Sequence, residues 1–87
     1  MIKETTQPKI PASGSQSRMI YDYMMQGNTL TSIEAVREFG ILRLPNRIGD
    51  LVKTYHQPLY AKEHRKGRTT WKEYGMFPFD GAERIDG

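Results

Sequence analysis

The chain has no cysteine. That excludes a disulfide framework and a zinc site built on thiolates, and it agrees with a reducing compartment. No apolar run approaches the ~20 residues needed to cross a bilayer, and no basic-then-apolar opening reads as a signal peptide. The expectation is a soluble protein that stays in the cytoplasm and has no membrane partner. Also missing are a phosphate-cradling glycine loop, a nucleophile elbow and a paired-histidine spacing. His56 and His64 stand apart, and Glu63 beside the second does not complete a metal set. No enzyme activity, cofactor or metal is therefore expected. With 87 residues there is room for one small domain and one binding surface.

Basic charge is what the chain does have, and it is unevenly placed. The formal net charge is +3, but residues 41–72 alone hold eight basic and two acidic side chains, while residues 73–87 lean acidic. Such a local positive field attracts polyanions and speeds encounter with them.

The densest pattern runs from Leu30 to Lys53. Thr31 or Ser32 can cap a helix, and Glu34 stands at capping-box distance from Thr31. Ile33, Val36 and Phe39, with Ala35 between, predict a buried stripe at helical period. Gly40 can end that helix in the left-handed conformation, and Ile41 reads as a buried turn residue. A second helix is expected to start near Pro45, which is tolerated in a first turn. Leu44, Ile48, Leu51 and Tyr55 then share one face. The other face presents Asn46, Gly49, Asp50 and Lys53, flanked by Arg43, Arg47 and Thr54. Helix, tight turn and helix with hydrogen-bonding side chains outward predict a DNA-binding helix-turn-helix.

The remainder reads as support. Residues 1–14, with Pro8, Pro11, Ser13 and Gly14, predict a mobile arm whose Lys3 and Lys9 could follow a DNA backbone. Residues 15–26 predict a first helix capped by Ser15 or Ser17, with Met19, Ile20, Tyr23 and Met24 on its apolar face and Gly27-Asn28 at its end. Beyond Pro58, Leu59–His64 and Thr69–Tyr74 predict two strands bracketing Arg65-Lys66-Gly67-Arg68. Trp71 is expected to lock this hairpin against the helices rather than to stack on a base. Residues 75–87 predict an irregular tail, with Phe77 and Phe79 as a candidate docking or dimerisation feature. The fold class is then α+β: an arm over 1–14, a domain over 15–74 with three helices and a two-stranded wing, and a tail over 75–87.

Leu30-Thr31-Ser32-Ile33-Glu34-Ala35, Glu38-Phe39-Gly40-Ile41, Arg43-Leu44, Arg47-Ile48 and Asp50-Leu51 together resemble the winged helix-turn-helix domains common among small bacteriophage and prophage proteins. The likeness spans roughly residues 15–60. It implies a DNA-binding winged helix of phage or prophage origin. Pro45-Asn46 stands where such domains usually carry small residues, and Thr54-Tyr55-His56-Gln57 where they tend to carry a glycine.

The expected function is sequence-specific binding of double-stranded DNA, as a transcription regulator or an excisionase-like recombination directionality factor. The contacting residues would be Arg43, Asn46, Arg47, Asp50, Lys53 and Thr54 from the helix and Arg65, Lys66 and Arg68 from the wing. Asn46 suits a bidentate pair to adenine and an arginine one to guanine. Asp50 can instead pair with Arg47 or Lys53 along the helix. Self-association on DNA, an integrase or a host protein are the further partners, and the alternative role is a protein-binding winged helix.

Overall fold

The computed structural model describes residues 8–85. Along the chain come helix α1 (Gln16–Met25), strand β1 (Leu30–Thr31), helices α2 (Ser32–Phe39) and α3 (Leu44–Lys53), and strands β2 (Tyr60–Lys66), β3 (Thr69–Gly75) and β4 (Glu83–Arg84). Three helices therefore pack on one antiparallel sheet ordered β1-β3-β2-β4.

Each helix begins and ends for a local reason. Ser15 caps α1 by accepting from the Arg18 N–H at 3.1 Å, and Arg18 ties to Asp22 at 2.9 Å one turn on. Thr31 closes β1 and caps α2 in the same residue: its hydroxyl accepts from the Glu34 N–H, and the Glu34 carboxylate accepts from the Thr31 N–H at 3.0 Å. Strand thus passes to helix without a loop. Gly40, at φ 69, ends α2, and α3 starts with Pro45 in its first turn.

The core lies where the helices meet the sheet, built from Ile20, Met24, Leu30, Ala35, Ile41, Leu44, Ile48, Leu51, Leu59, Tyr74 and Met76 with Val52 at its margin. The stripe expected on α2 is different from the one observed. Ala35 is fully buried and Phe39 half-buried, edge-on to Tyr23 with ring centres 5.2 Å apart, whereas Ile33 and Val36 are exposed at 66% and 44%. Ala35 and Phe39, one turn apart, bring the short helix close to its neighbours, and at 100° per residue Ile33 is turned to the far side. Met19 on α1 is likewise at the surface.

The two-stranded wing expected from the sequence is the central pair of a larger sheet. β2 and β3 pair from Tyr60↔Gly75 to Lys66↔Thr69, and Gly67-Arg68 form the turn. Gly67 has φ 64 while Arg68 keeps a negative φ, the pattern of a II′ hairpin turn, so Arg65 and Lys66 belong to the strand rather than to a loop. β1 adds Leu30↔Tyr74 on one edge and β4 adds Tyr60↔Arg84 on the other. Both are two residues long, too short for periodicity to reveal.

The segments flanking the core are held to it. The Lys9 N–H donates to the Tyr55 carbonyl at 2.8 Å, the Gln57 amide donates to the Lys9 carbonyl at 2.6 Å, and Pro11 is buried. Residues 9–11 are therefore strapped to the turn after α3 and do not form the mobile arm expected there; Lys3 lies outside the described residues. At the other end Phe79 packs on Gly75, the Ile85 N–H donates to the Leu59 carbonyl at 2.9 Å, and the sheet continues into residues expected to be an irregular tail.

Candidate nucleic-acid interface

Helix α3 sorts its side chains by helical geometry. Leu44, Ile48, Leu51 and Val52 are buried, so the opposite face turns out Pro45, Asn46, Gly49, Asp50 and Lys53. Arg43, the residue before the helix, is exposed, as are Asn46, Lys53 and Thr54, whose N–H donates to the Asp50 carbonyl at 2.8 Å. Arg47 is half-buried on the flank and pairs with Asp50 at 3.1 Å. That spacing is a local ion pair worth about 0.3–0.5 kcal/mol, and it orients both side chains along the helix. Among the described residues, beyond its chain neighbours and its own helix backbone, nothing lies within 4 Å of where a Gly49 Cβ would stand, so an outside surface can approach the backbone there.

The hairpin splits its basic residues between faces. Partners directly opposite in an antiparallel pair share a face. Arg65 with Thr70 and Glu63 with Lys72 therefore lie on the same side as Ala61 and the buried Tyr74, while Lys66 with Thr69 and His64 with Trp71 lie on the other. Arg68 occupies the turn. A cleft of about 540 Å³ separates the start of α3 from the hairpin, lined by Pro45 and Ser32 on one wall and Glu63, Thr70, Trp71, Lys72 and Tyr74 on the other. The helix-borne set (Arg43, Asn46, Arg47, Asp50, Lys53, Thr54) is thus brought onto one helix and the residues that flank its two ends. Arg65, Lys66 and Arg68 sit at the far end of the hairpin, and Lys72, which sequence reasoning passes over, lies between the two groups. Strand alternation counted back from Tyr74 carries the signal for Lys72. Leu42, 79% exposed beside Arg43, also escapes the sequence reading, and no periodicity marks it.

Trp71 departs from expectation. It is 41% exposed and stacks on His64, ring centres 5.3 Å apart and planes 12° from parallel. It does not lock the hairpin to the helices, because its register puts it on the sheet face opposite Tyr74. His64 Nε2 meets Glu73 Oε1 at 2.8 Å, and the Thr29 hydroxyl donates to the other Glu73 oxygen. These hydrogen bonds, from Thr29 first and His64 second, hold the Glu73 carboxyl below the usual carboxylate range. Among the described residues no group of three or more His, Asp or Glu side chains is placed to hold a metal ion. Also among them, no helix is long and apolar enough to cross a membrane.

No curated protein and no solved structure matches the chain. Residues 15–54, from the cap of α1 through the end of α3, match the family model of the winged helix-turn-helix domain, so the helical part of this α+β fold is similar to a domain type that binds DNA.

Proposed function

We propose that the protein binds double-stranded DNA in a sequence-specific manner, with α3 in the major groove and the basic hairpin along phosphates or in the adjoining minor groove. One observation carries the reading: the outward face of α3, free of core packing, presents Asn46 and Lys53 with Arg43 at its leading end. Helix-turn-helix proteins read base edges from this part of the second helix. Asn46 is the side chain suited to adenine and Arg43 to guanine, Arg47 and Asp50 act as a pair, and Lys53 and Thr54 face phosphates. Arg65, Lys66 and Arg68 add phosphate contacts from the hairpin. The role is non-enzymatic and cofactor-free: a phage or prophage transcription regulator, or an excisionase-like factor, acting in the bacterial cytoplasm. Specificity on so small a surface calls for repeated sites, self-association or a protein partner such as an integrase.

A protein-binding role is the second reading, favoured by Phe77, 47% exposed beside Met25 and Pro58 on an apolar surface. The two separate in one experiment. Reversing charge at Arg47→Glu and Lys53→Glu is expected to weaken duplex binding at least a hundredfold while the thermal melt shifts by only a few degrees. Unchanged duplex affinity in a folded double variant would overturn the DNA reading.

A further inference from the structure

Trp71 is the single tryptophan of the chain, and much of it faces solvent. Leaving an indole exposed forgoes burial that other aromatic positions in this fold obtain. The ring is nevertheless held in place from the base of the sheet outward: Thr29 donates to Glu73, Glu73 fixes His64 at 2.8 Å, and His64 stacks on the indole. Beside the indole an open groove of about 390 Å³ is lined by Thr31, Ser32, Ile33, Thr69 and Trp71. Ile33, 66% exposed, is its other large apolar wall, and the lining of the groove is almost wholly apolar. Among the described residues no carboxylate lines it.

The end of the hairpin is basic. Lys66, on the same sheet face as Trp71, and Arg68 in the turn adjoin Thr69 there, while the neighbouring cleft toward Pro45 shares Ser32 and Trp71 and is lined by Lys72 together with its cross-strand partner Glu63. A planar ligand with apolar faces and negative charge beside it fits this combination. Those are the attributes of a nucleotide within a strand, its base stacked and its phosphates near lysine and arginine.

We propose that the groove between Ile33 and Trp71 receives the base of an unpaired nucleotide in single-stranded or locally opened DNA. This goes beyond the duplex-binding reading and shares with it the polyanionic partner and the hairpin cations. The rigid indole supplies the stacking face, Ile33 the opposing apolar wall, and the hairpin cations the phosphate contacts.

The test uses the intact protein and a twelve-residue oligothymidylate at low salt, with emission from Trp71 as the reporter. Saturable quenching is expected. By anisotropy of the labelled oligothymidylate, Trp71→Leu is expected to weaken binding about tenfold, and Trp71→Phe, which keeps a ring, much less. Thermal melts of both variants separate a stacking defect from a folding defect. Binding without a change in Trp71 emission, equal affinity in a folded Trp71→Leu variant, or no oligothymidylate binding overturns the proposal. Equal quenching by polyglutamate overturns it too, since charge alone would then suffice. Wild-type binding to a fully paired duplex is measured in parallel. A protein that binds the duplex but not oligothymidylate defeats this proposal alone, and the reverse defeats the duplex reading alone.

Discussion

Single residues carry more of this fold than their neighbours in sequence indicate. Glu73 accepts from Thr29 and His64 at once, joining the strand edge to the exposed indole. Its carboxyl is held below the ordinary value of 4.5, so the folded state favours the charged form. The resulting stability is present above pH 4.5 and is lost as pH falls through the lowered folded value. Glu73→Gln is expected to lower stability near neutral pH by about 1–2 kcal/mol. In denaturant titrations across pH, the gap from wild type should then shrink below pH 4.5. A gap independent of pH would mean that packing, not charge, is what Glu73 supplies. His56 is a second such residue. In the turn after α3, His56 adopts the left-handed conformation that glycine usually supplies, at φ 53, the only non-glycine among the described residues to do so. The turn lets the Gln57 N–H reach the Leu51 carbonyl at 2.9 Å and the Gln57 side chain reach Lys9. His56→Gly is expected to raise stability by about 0.5–1 kcal/mol, read from the denaturant midpoint, because it relieves the left-handed cost at some loss of chain entropy. A fall would show that the imidazole packs more favourably than the backbone is strained.

At the scale of elements, α3 joins the fold to the proposed function, and Gly49 is its test. Outside its own helix backbone and chain neighbours, a methyl at this position meets no atom of the described residues within 4 Å. Gly49→Ala is therefore expected to stabilise the helix by about 0.5–1 kcal/mol, visible as a higher melting temperature. The same variant should bind duplex DNA more weakly if the backbone there lies against it. A raised melt with unchanged affinity would move the binding surface away from this face. The elements also show what can be read from a chain alone. The capping box at Thr31 and Glu34, the left-handed Gly40 and the proline-led α3 are legible because each depends on two to four residues close in sequence. The stripe on α2 misleads because Ile33, Val36 and Phe39 fit a helical period, yet on an eight-residue helix the packing is settled by Ala35, whose small side chain allows close approach. β1 and β4 are invisible because a two-residue strand has no period, and its existence depends on partners more than twenty positions away. Trp71 reads as core by its area, and only the pairing of His64 with Trp71 in register puts it on the outer face. Of the candidate site, the helix face follows from periodicity, while Lys72 and the cleft beside Pro45 require knowing how the hairpin sits against α3.

For the whole molecule, the decisive property is where its charge lies. A sequence pI of about 9.3 understates the asymmetry, because the basic residues gather in α3 and the β2–β3 hairpin while the segment after β3 is acidic. The sheet ties these parts together: β1 leads directly into α2, β3 runs beside it, and the hairpin projects past both with its cations exposed. A duplex gripped by α3 and by the hairpin end would release counterions in proportion to the phosphates met. The most direct measurement is the anisotropy of a labelled mixed-sequence duplex titrated with protein at about 50 and 200 mM salt. Wild type is compared with the Arg65→Ala, Lys66→Ala, Arg68→Ala triple variant. The expected result is wild-type binding that weakens steeply with salt, and a triple variant that binds less tightly with a log–log slope shallower by about 0.9 for each phosphate it no longer neutralises. No duplex binding at the lower salt, or identical slopes for the two proteins, would contradict a DNA grip shared between helix and hairpin.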